Sequence, residues 1–312
     1  MSKILAIFGA TGQQGGSVLN HVVNDPELSQ QYKVRAITRD ANSDKAQQLK
    51  EKYNVEVIEA DVASSDSLAT ALNGVDTVFA MTTPALGADA FDVELENAKR
   101  IADVAVQQGV KYIIWSTLPA VRDISEGKYP SVVPFDAKAA AEEYIRTLPI
   151  KTAFLSLGSF MENLQAQTFL APTQAPDGTY VLARHTTPET QFPLLDAVGD
   201  TGKFAGAILA EPEKFEGKRL HAATKLYTVK EIAALLAKSS GKPIVYKQIS
   251  TEEFKDSLPF FQDVFAEGFS FMQDYGYFGP GTEELVAEAA AAARGKLSTF
   301  EDYLERHPFQ LA

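Results

Sequence analysis

The chain has 312 residues, 45% of them hydrophobic, which suffices for one large α/β domain or two smaller ones and speaks against disorder. Its 29 Lys+Arg against 41 Asp+Glu give a formal charge of −12, so the mean surface field repels polyanions and argues against direct nucleic-acid or acidic-membrane binding. The absence of cysteine excludes disulfides, thiolate nucleophiles and sulfur-ligated metals, and His21, His185, His221 and His307 share no metal-ligand spacing. No apolar stretch approaches the ~20 residues of a membrane span, and the first residues lack a signal peptide's layout. The expectation is a soluble, cytoplasmic protein without a metal.

Taken in chain order, the first run, 3–8, is an apolar strand followed at once by "FGATGQQGGSVL" (8–19). Gly9, Gly12 and Gly15 stand as G-x-x-G-x-x-G between that strand and a helix at 14–25, the context in which the pattern predicts a dinucleotide's pyrophosphate seat. The first glycine permits a sharp turn, the second the approach of backbone amides, and the third close packing of helix on strand. The helix N-terminus would add unpaired N–H groups and a partial positive charge, with Thr11, Gln13 and Gln14 in the same loop. A ligand-free tight turn is the competing reading.

The second strand, 32–37, ends "AITRD". An acidic residue there would read a ribose 2′-hydroxyl, whereas Thr38 and Arg39 suit a 2′-phosphate and favour NADP(H) over NAD(H). Arg39 paired with Asp40 on the surface is the alternative. Further strands fall at 55–60, 76–81, 111–116 and 151–156, with helices at 43–53, 65–74, 92–109 and 135–148, two of them closed by Gly74 and Gly109. The strands read as too continuously apolar to have a wet face. Strand-helix alternation predicts a doubly wound parallel sheet of Rossmann type, class α/β, with ligands at the strands' carboxyl ends. Asp61-Val62 would bound an adenine pocket, Thr82-Thr83 would line ribose and phosphate, and Ser116-Thr117 would lie near a nicotinamide; ordinary strand-ending turns explain each as well.

Beyond residue 157 the rhythm loosens into a smaller, mostly helical region. The expected division is 1–156 for the dinucleotide-binding domain and 157–312 for a substrate- or partner-binding region partly interleaved with it. "EPEKFEGKRLHAAT" reads as a turn followed by a strand, and Thr228 with Glu231, Ser250 with Glu253 and Ser298 with Glu301 match capping-box spacing. Residues 259–279 carry eight aromatic side chains, readable as core or lid packing or as a hydrophobic substrate or partner surface. "GDTGKF" (199–204) lacks the length and ending of a Walker loop.

The stretches "FGATGQQGGSVL", "AITRD", "ADVASSDSL", "YIIWSTL", "FDAKAAAEEYIR", "SLGSFMENL" and "STFEDYLERHP" together resemble the NmrA-like family, a branch of the atypical short-chain dehydrogenase/reductases, from end to end. The resemblance implies an NAD(P)-binding Rossmann domain and two kinds of role. Some members sense redox state and bind transcription regulators, which places such a protein in the cytoplasm or the nucleus; isoflavone-reductase-like relatives reduce substrates with NADPH. In the ordinary Tyr-x-x-x-Lys arrangement Lys138 takes the lysine's place, but Pro134 stands where the tyrosine proton donor should be. Lys138 is then a ribose or structural ligand, or acts in proton transfer beside Thr117, and Tyr129 is a possible inward-swinging substitute. Phe160 and Asn163, in the loop that resembles the family's nicotinamide cover, would contact the ring. The missing tyrosine favours a redox sensor acting through a protein partner; an NADPH-dependent reductase of a small hydrophobic substrate is the alternative.

Overall fold

The computed structural model describes residues 2–85 and 87–311. The apolar runs of the first half become β1 (Lys3–Phe8), β2 (Tyr32–Thr38), β3 (Glu56–Glu59), β4 (Thr77–Ala80), β5 (Tyr112–Thr117) and β6 (Lys151–Leu157). The second half supplies β7 (Ser159–Phe160), β8 (Thr173–Gln174), β9 (Tyr180–Arg184), β10 (Gln191–Leu195), β11 (Arg219–Ala222), β12 (Lys225–Thr228) and β13 (Ile244–Gln248). A seven-stranded sheet runs in the order β11-β6-β5-β4-β1-β2-β3, every pairing parallel, as the alternating pattern requires. β1 lies between β4 and β2, so the chain reverses its direction of winding beside β1. Two small sheets, β12-β10-β7 and β13-β9-β8, belong to the second half, yet β11 crosses back to complete the main sheet against β6.

One expectation fails at the sheet's edge. β3 has exposed Glu56 and Glu59 around half-buried Val57 and Ile58, because a last strand has a neighbour on one side only. Glu56 accepts from Arg35 Nε at 2.7 Å, which anchors that edge to β2. Gly74 and Gly109 follow their helices in the left-handed region, as expected of helix ends. The first two capping boxes form as spaced, but the third slips by one residue: Thr299 caps the helix Phe300–Arg306 with Asp302 as its partner. Tertiary bonds decide the slip. The Ser298 amide donates to Asp200 Oδ2 at 2.7 Å, and Glu301 accepts from the Tyr227 hydroxyl at 2.7 Å.

The helix Gln13–Asn24 is pressed between β1 and the almost wholly buried helix Ala197–Ala210. Small residues make that approach possible: a Cβ at Gly202 would lie 2.3 Å from the Ser17 carbonyl oxygen and 2.6 Å from His21 Cβ. The "GDTGKF" segment is therefore helix-packing sequence. Within it, buried Asp200 is bound by Lys203 Nζ at 2.5 Å. Among the described residues no helix is long and apolar enough to cross a membrane.

Because the carbonyl facing Gly202 is backbone and cannot swing aside, Gly202→Ala should lower unfolding free energy by about 2–3 kcal/mol. Calorimetric or denaturant unfolding reads this directly. A variant as stable as the parent would show that the two helices separate at no cost.

Candidate functional site

The loop after β1 makes the turn the glycine spacing predicts. Gly9 has φ +63, open to glycine at no steric cost, and the Gly12 amide donates to the Gly9 carbonyl at 2.8 Å to close the turn. A Cβ at Gly15 would lie 2.5 Å from the carbonyl oxygens of both Phe8 and Gly9, so only glycine lets the helix start this close to the strand. Gly12 caps the helix without a side-chain bond, and no acidic residue occupies the first turn. The amides of Gln13, Gln14 and Gly15 consequently have no intrahelical acceptor and present positive ends to the sheet's crest. This cradle fits an anionic phosphate group by shape and by charge.

The other residues singled out from the sequence gather on the same crest, because their strands are parallel neighbours. Thr38 is buried at the end of β2, while Arg39 is exposed and, among the described residues, makes neither an ion pair nor a side-chain hydrogen bond; it is not paired with Asp40. Asp61, after β3, accepts from the Ala63 amide at 2.9 Å beside half-buried Val62, and Thr83 is exposed after β4. Ser116 Oγ donates to Gln14 Oε1 at 2.8 Å, tying the end of β5 to the glycine turn. Thr117 is fully buried, and its hydroxyl donates to the Lys138 carbonyl at 3.3 Å.

Lys138 projects from the helix Val133–Arg146 into a buried polar knot. Its ammonium donates to Glu94 Oε1 at 2.6 Å, to the Thr82 carbonyl at 2.9 Å and to Thr82 Oγ1 at 3.0 Å. The Thr82 hydroxyl donates in turn to Glu94 Oε1 at 2.6 Å. Burial pushes the Lys138 pKa down, and the Glu94 carboxylate opposes that shift. All three ammonium hydrogens are thus engaged by protein acceptors. Tyr129, the candidate substitute for the missing tyrosine, is turned elsewhere: its hydroxyl donates to Asp274 Oδ2 at 2.6 Å while its ring meets Phe271 and Tyr275 edge-on.

Beside this knot opens a cavity of about 690 Å³. Gln14, Thr82, Thr117 and Lys138 line its floor, Phe160 and Asn163 come from the segment after β6, and Phe265 and Phe269 from the helix Gln262–Tyr275 form an aromatic wall. Exposed Phe261 stands at its rim. The aromatic segment is therefore both packing and cavity wall; Phe254, Phe269 and Tyr277 belong to the second half's own core.

Two lining or supporting residues, Glu94 and Arg184, escape a sequence reading. Glu94 shares the buried stripe of its helix with Ala98, Ile101, Ala102 and Ala105, and that i, i+4, i+7 spacing is the signal of an inward-facing acid. Arg184 lies two residues after Leu182 on β9, hence on the same buried face. Tyr277 lines the cavity, and among the described residues its hydroxyl makes no hydrogen bond; burial pushes its pKa up, so it stays protonated.

Comparison with known proteins agrees with this architecture. A family model described as the NmrA-like family matches residues 1–304. An NmrA-like family domain-containing protein of Dictyostelium discoideum is 26% identical over 318 residues, with 100% of each chain covered. The NmrA-like family domain-containing oxidoreductase lnaB of Aspergillus flavus is 27% identical over 304 residues, covering 91% of this chain and 88% of its own. Among solved structures, the negative transcriptional regulator NmrA in complex with NADP superposes with a TM-score of 0.79 at 23% identity, over 97% of this chain and 94% of that one.

Removing one partner of the Lys138–Glu94 pair strands a buried charge. Glu94→Leu should therefore destabilise the fold by about 3–5 kcal/mol. The double variant Glu94→Leu/Lys138→Met should recover most of that loss, and a denaturant double-mutant cycle measures the coupling. Additive losses would mean that the two groups do not depend on each other.

Proposed function

The chain belongs to the NmrA-like family, and from that membership we propose that it binds NADP(H) and is an oxidoreductase that reduces a bulky, mainly apolar acceptor. The cavity carries this reading. A volume of about 690 Å³ is within the range of small-molecule sites, and its aromatic and aliphatic lining suits a large acceptor better than a small polar alcohol or ketone. The name of the Aspergillus flavus relative, an oxidoreductase, points the same way. A sensor that reports cofactor state to a protein partner, which the missing tyrosine favours, has no need of such a space.

In this reading the turn of Gly9, Thr11, Gly12, Gln13, Gln14 and Gly15 holds the pyrophosphate through backbone amides. Arg39 and Thr38 take the 2′-phosphate, with exposed Arg39 suited by having no ion pair or side-chain hydrogen bond among the described residues. Asp61 and Val62 flank the adenine and Thr83 the adjoining ribose or phosphate, while Phe160 and Asn163 face the nicotinamide end. When bound, the reduced nicotinamide supplies a hydride. The chain's own residues prepare the acceptor's surroundings: the apolar walls exclude water, and the Tyr277 hydroxyl is a hydrogen-bond donor for an acceptor oxygen. Lys138 and Thr117 act here by position. With its hydrogens committed to Thr82 and Glu94, Lys138 fixes the end of β4 under the cavity and keeps one positive charge compensated there.

Two measurements test the reading. NADPH oxidation followed with quinones, enones and aldehydes should show multiple turnovers with the bulkier apolar acceptors; Gly268→Leu, whose added Cβ would make only an ordinary van der Waals contact, 4.0 Å from Val132 Cγ1, should raise their KM about tenfold or more without changing NADPH affinity. No turnover with any acceptor would return the reading to the sensor. Separately, Arg39→Ala should weaken NADP⁺ by about tenfold or more and leave NAD⁺ nearly unchanged in calorimetric titrations. Equal losses would remove Arg39 from the 2′-phosphate site.

A further inference from the structure

The cavity is bordered by two buried cations with opposite circumstances. Lys138 has a carboxylate of its own, Glu94, at 2.6 Å. Arg184, 8% exposed, has none among the described residues. Its guanidinium donates to two backbone carbonyls, Ala183 at 2.7 Å and Leu170 at 2.5 Å, and lies 5.8 Å from the ring centroids of both Phe254 and Phe269. Guanidinium carries five N–H groups. Two are accounted for, and the remaining three meet no acceptor among the described residues.

This isolation contrasts with the pairing of three other arginines in the fold. Arg35, Arg219 and Arg294 are each met by a carboxylate, at 2.7, 2.8 and 2.7 Å respectively. Carbonyl and ring contacts orient a guanidinium but do not neutralise it, and a buried charge without a counter-charge is costly to keep. Burial draws the Arg184 pKa down to about 10, which still leaves it charged at neutral pH. Leu170, Leu182, Phe192 and Phe269 line the cavity with it, and its polar neighbours Tyr246 and His185 bring no negative charge: burial pushes the Tyr246 pKa up and the His185 pKa down. A charge maintained without a counter-charge at the edge of a mainly apolar space is arranged for a ligand that brings the opposite charge.

We infer that Arg184 is the anion-recognising residue of the cavity, and that the acceptor carries a carboxylate or another single oxyanion on an apolar, aromatic body. This inference rests on the cavity being the acceptor site proposed above. The amphiphile would lay its apolar body against Phe265 and Phe269 and its anionic group against Arg184, leaving the far end for the floor formed by Gln14, Thr117 and Lys138. The bidentate fork of a guanidinium would select an oxyanion over a neutral carbonyl. With a formal charge of −12, the protein would bind such an anion through this local group and against its mean field.

Two fluorescent probes that share an anilinonaphthalene body separate the terms: 8-anilinonaphthalene-1-sulfonate carries the anion and N-phenyl-1-naphthylamine does not. In titrations of the full chain saturated with NADP⁺, the sulfonate should bind about tenfold or more tightly than the neutral probe. Arg184→Met should abolish that preference with the neutral probe's affinity within about twofold of the parent, and Gly268→Leu should weaken both probes together. Equal binding of the two probes to the parent protein overturns the inference without any variant and leaves the apolar cavity standing, as does a preference that survives in Arg184→Met. Failure of the neutral probe to bind at all overturns the acceptor-cavity reading and this inference with it.

Discussion

The architecture depends on one close contact, the seating of the helix Gln13–Asn24 against the carboxyl end of β1. With a hypothetical Cβ at Gly15 only 2.5 Å from two carbonyl oxygens, the helix axis is fixed as near to the strand as a polypeptide can be. On its other side the helix Ala197–Ala210 closes in over Gly202, so the first helix is held from both faces by backbone. That clamp determines where the helix N-terminus points. Three unpartnered amides, the Ser116–Gln14 bond and the mouth of the cavity all share the crest because the clamp leaves the helix a single orientation.

Charge in the interior is handled in two ways. The Lys138–Glu94–Thr82 knot is closed, each polar group meeting another, and it makes the junction of β4 with the helices Ala90–Gln107 and Val133–Arg146 rigid under the cavity floor. Arg184 is open, oriented by carbonyls and aromatic rings without a counter-charge among the described residues. Closed networks fix structure, whereas an open charge stores a demand that a ligand can meet. Both kinds border one mainly apolar space, and a small number of fixed polar groups is how a large pocket gains orientation without losing its affinity for hydrocarbon.

Much of this is legible in the sequence, for reasons that also explain what is not. The strands and helices of the first half announce themselves because every strand but the edge is buried on both faces and every helix keeps an apolar stripe. The glycine turn is legible because backbone geometry forces its composition. The third capping box is misplaced because Ser298 and Thr299 offer two overlapping boxes, and contacts with Asp200 and Tyr227, distant in sequence, select between them. That β11 belongs to the first sheet is a matter of pairing, invisible to local pattern. Lys138 is found by its spacing, but whether its hydrogens are free or spent depends on Glu94, forty-four residues earlier in the chain. The cavity itself is formed by segments from both halves, and empty volume leaves no periodicity.

The return of β11 to the first sheet has a consequence for how the molecule comes into being. Until Arg219–Ala222 emerges during synthesis, β6 presents one row of unsatisfied backbone groups at the sheet's border, a template for pairing with a neighbouring polypeptide. A fragment ending near residue 157 would carry the whole glycine turn and still expose that sticky border. The half that carries the glycine turn thus reaches a protected state only after the ribosome has made most of the chain, and the folding of the two halves is coupled from birth.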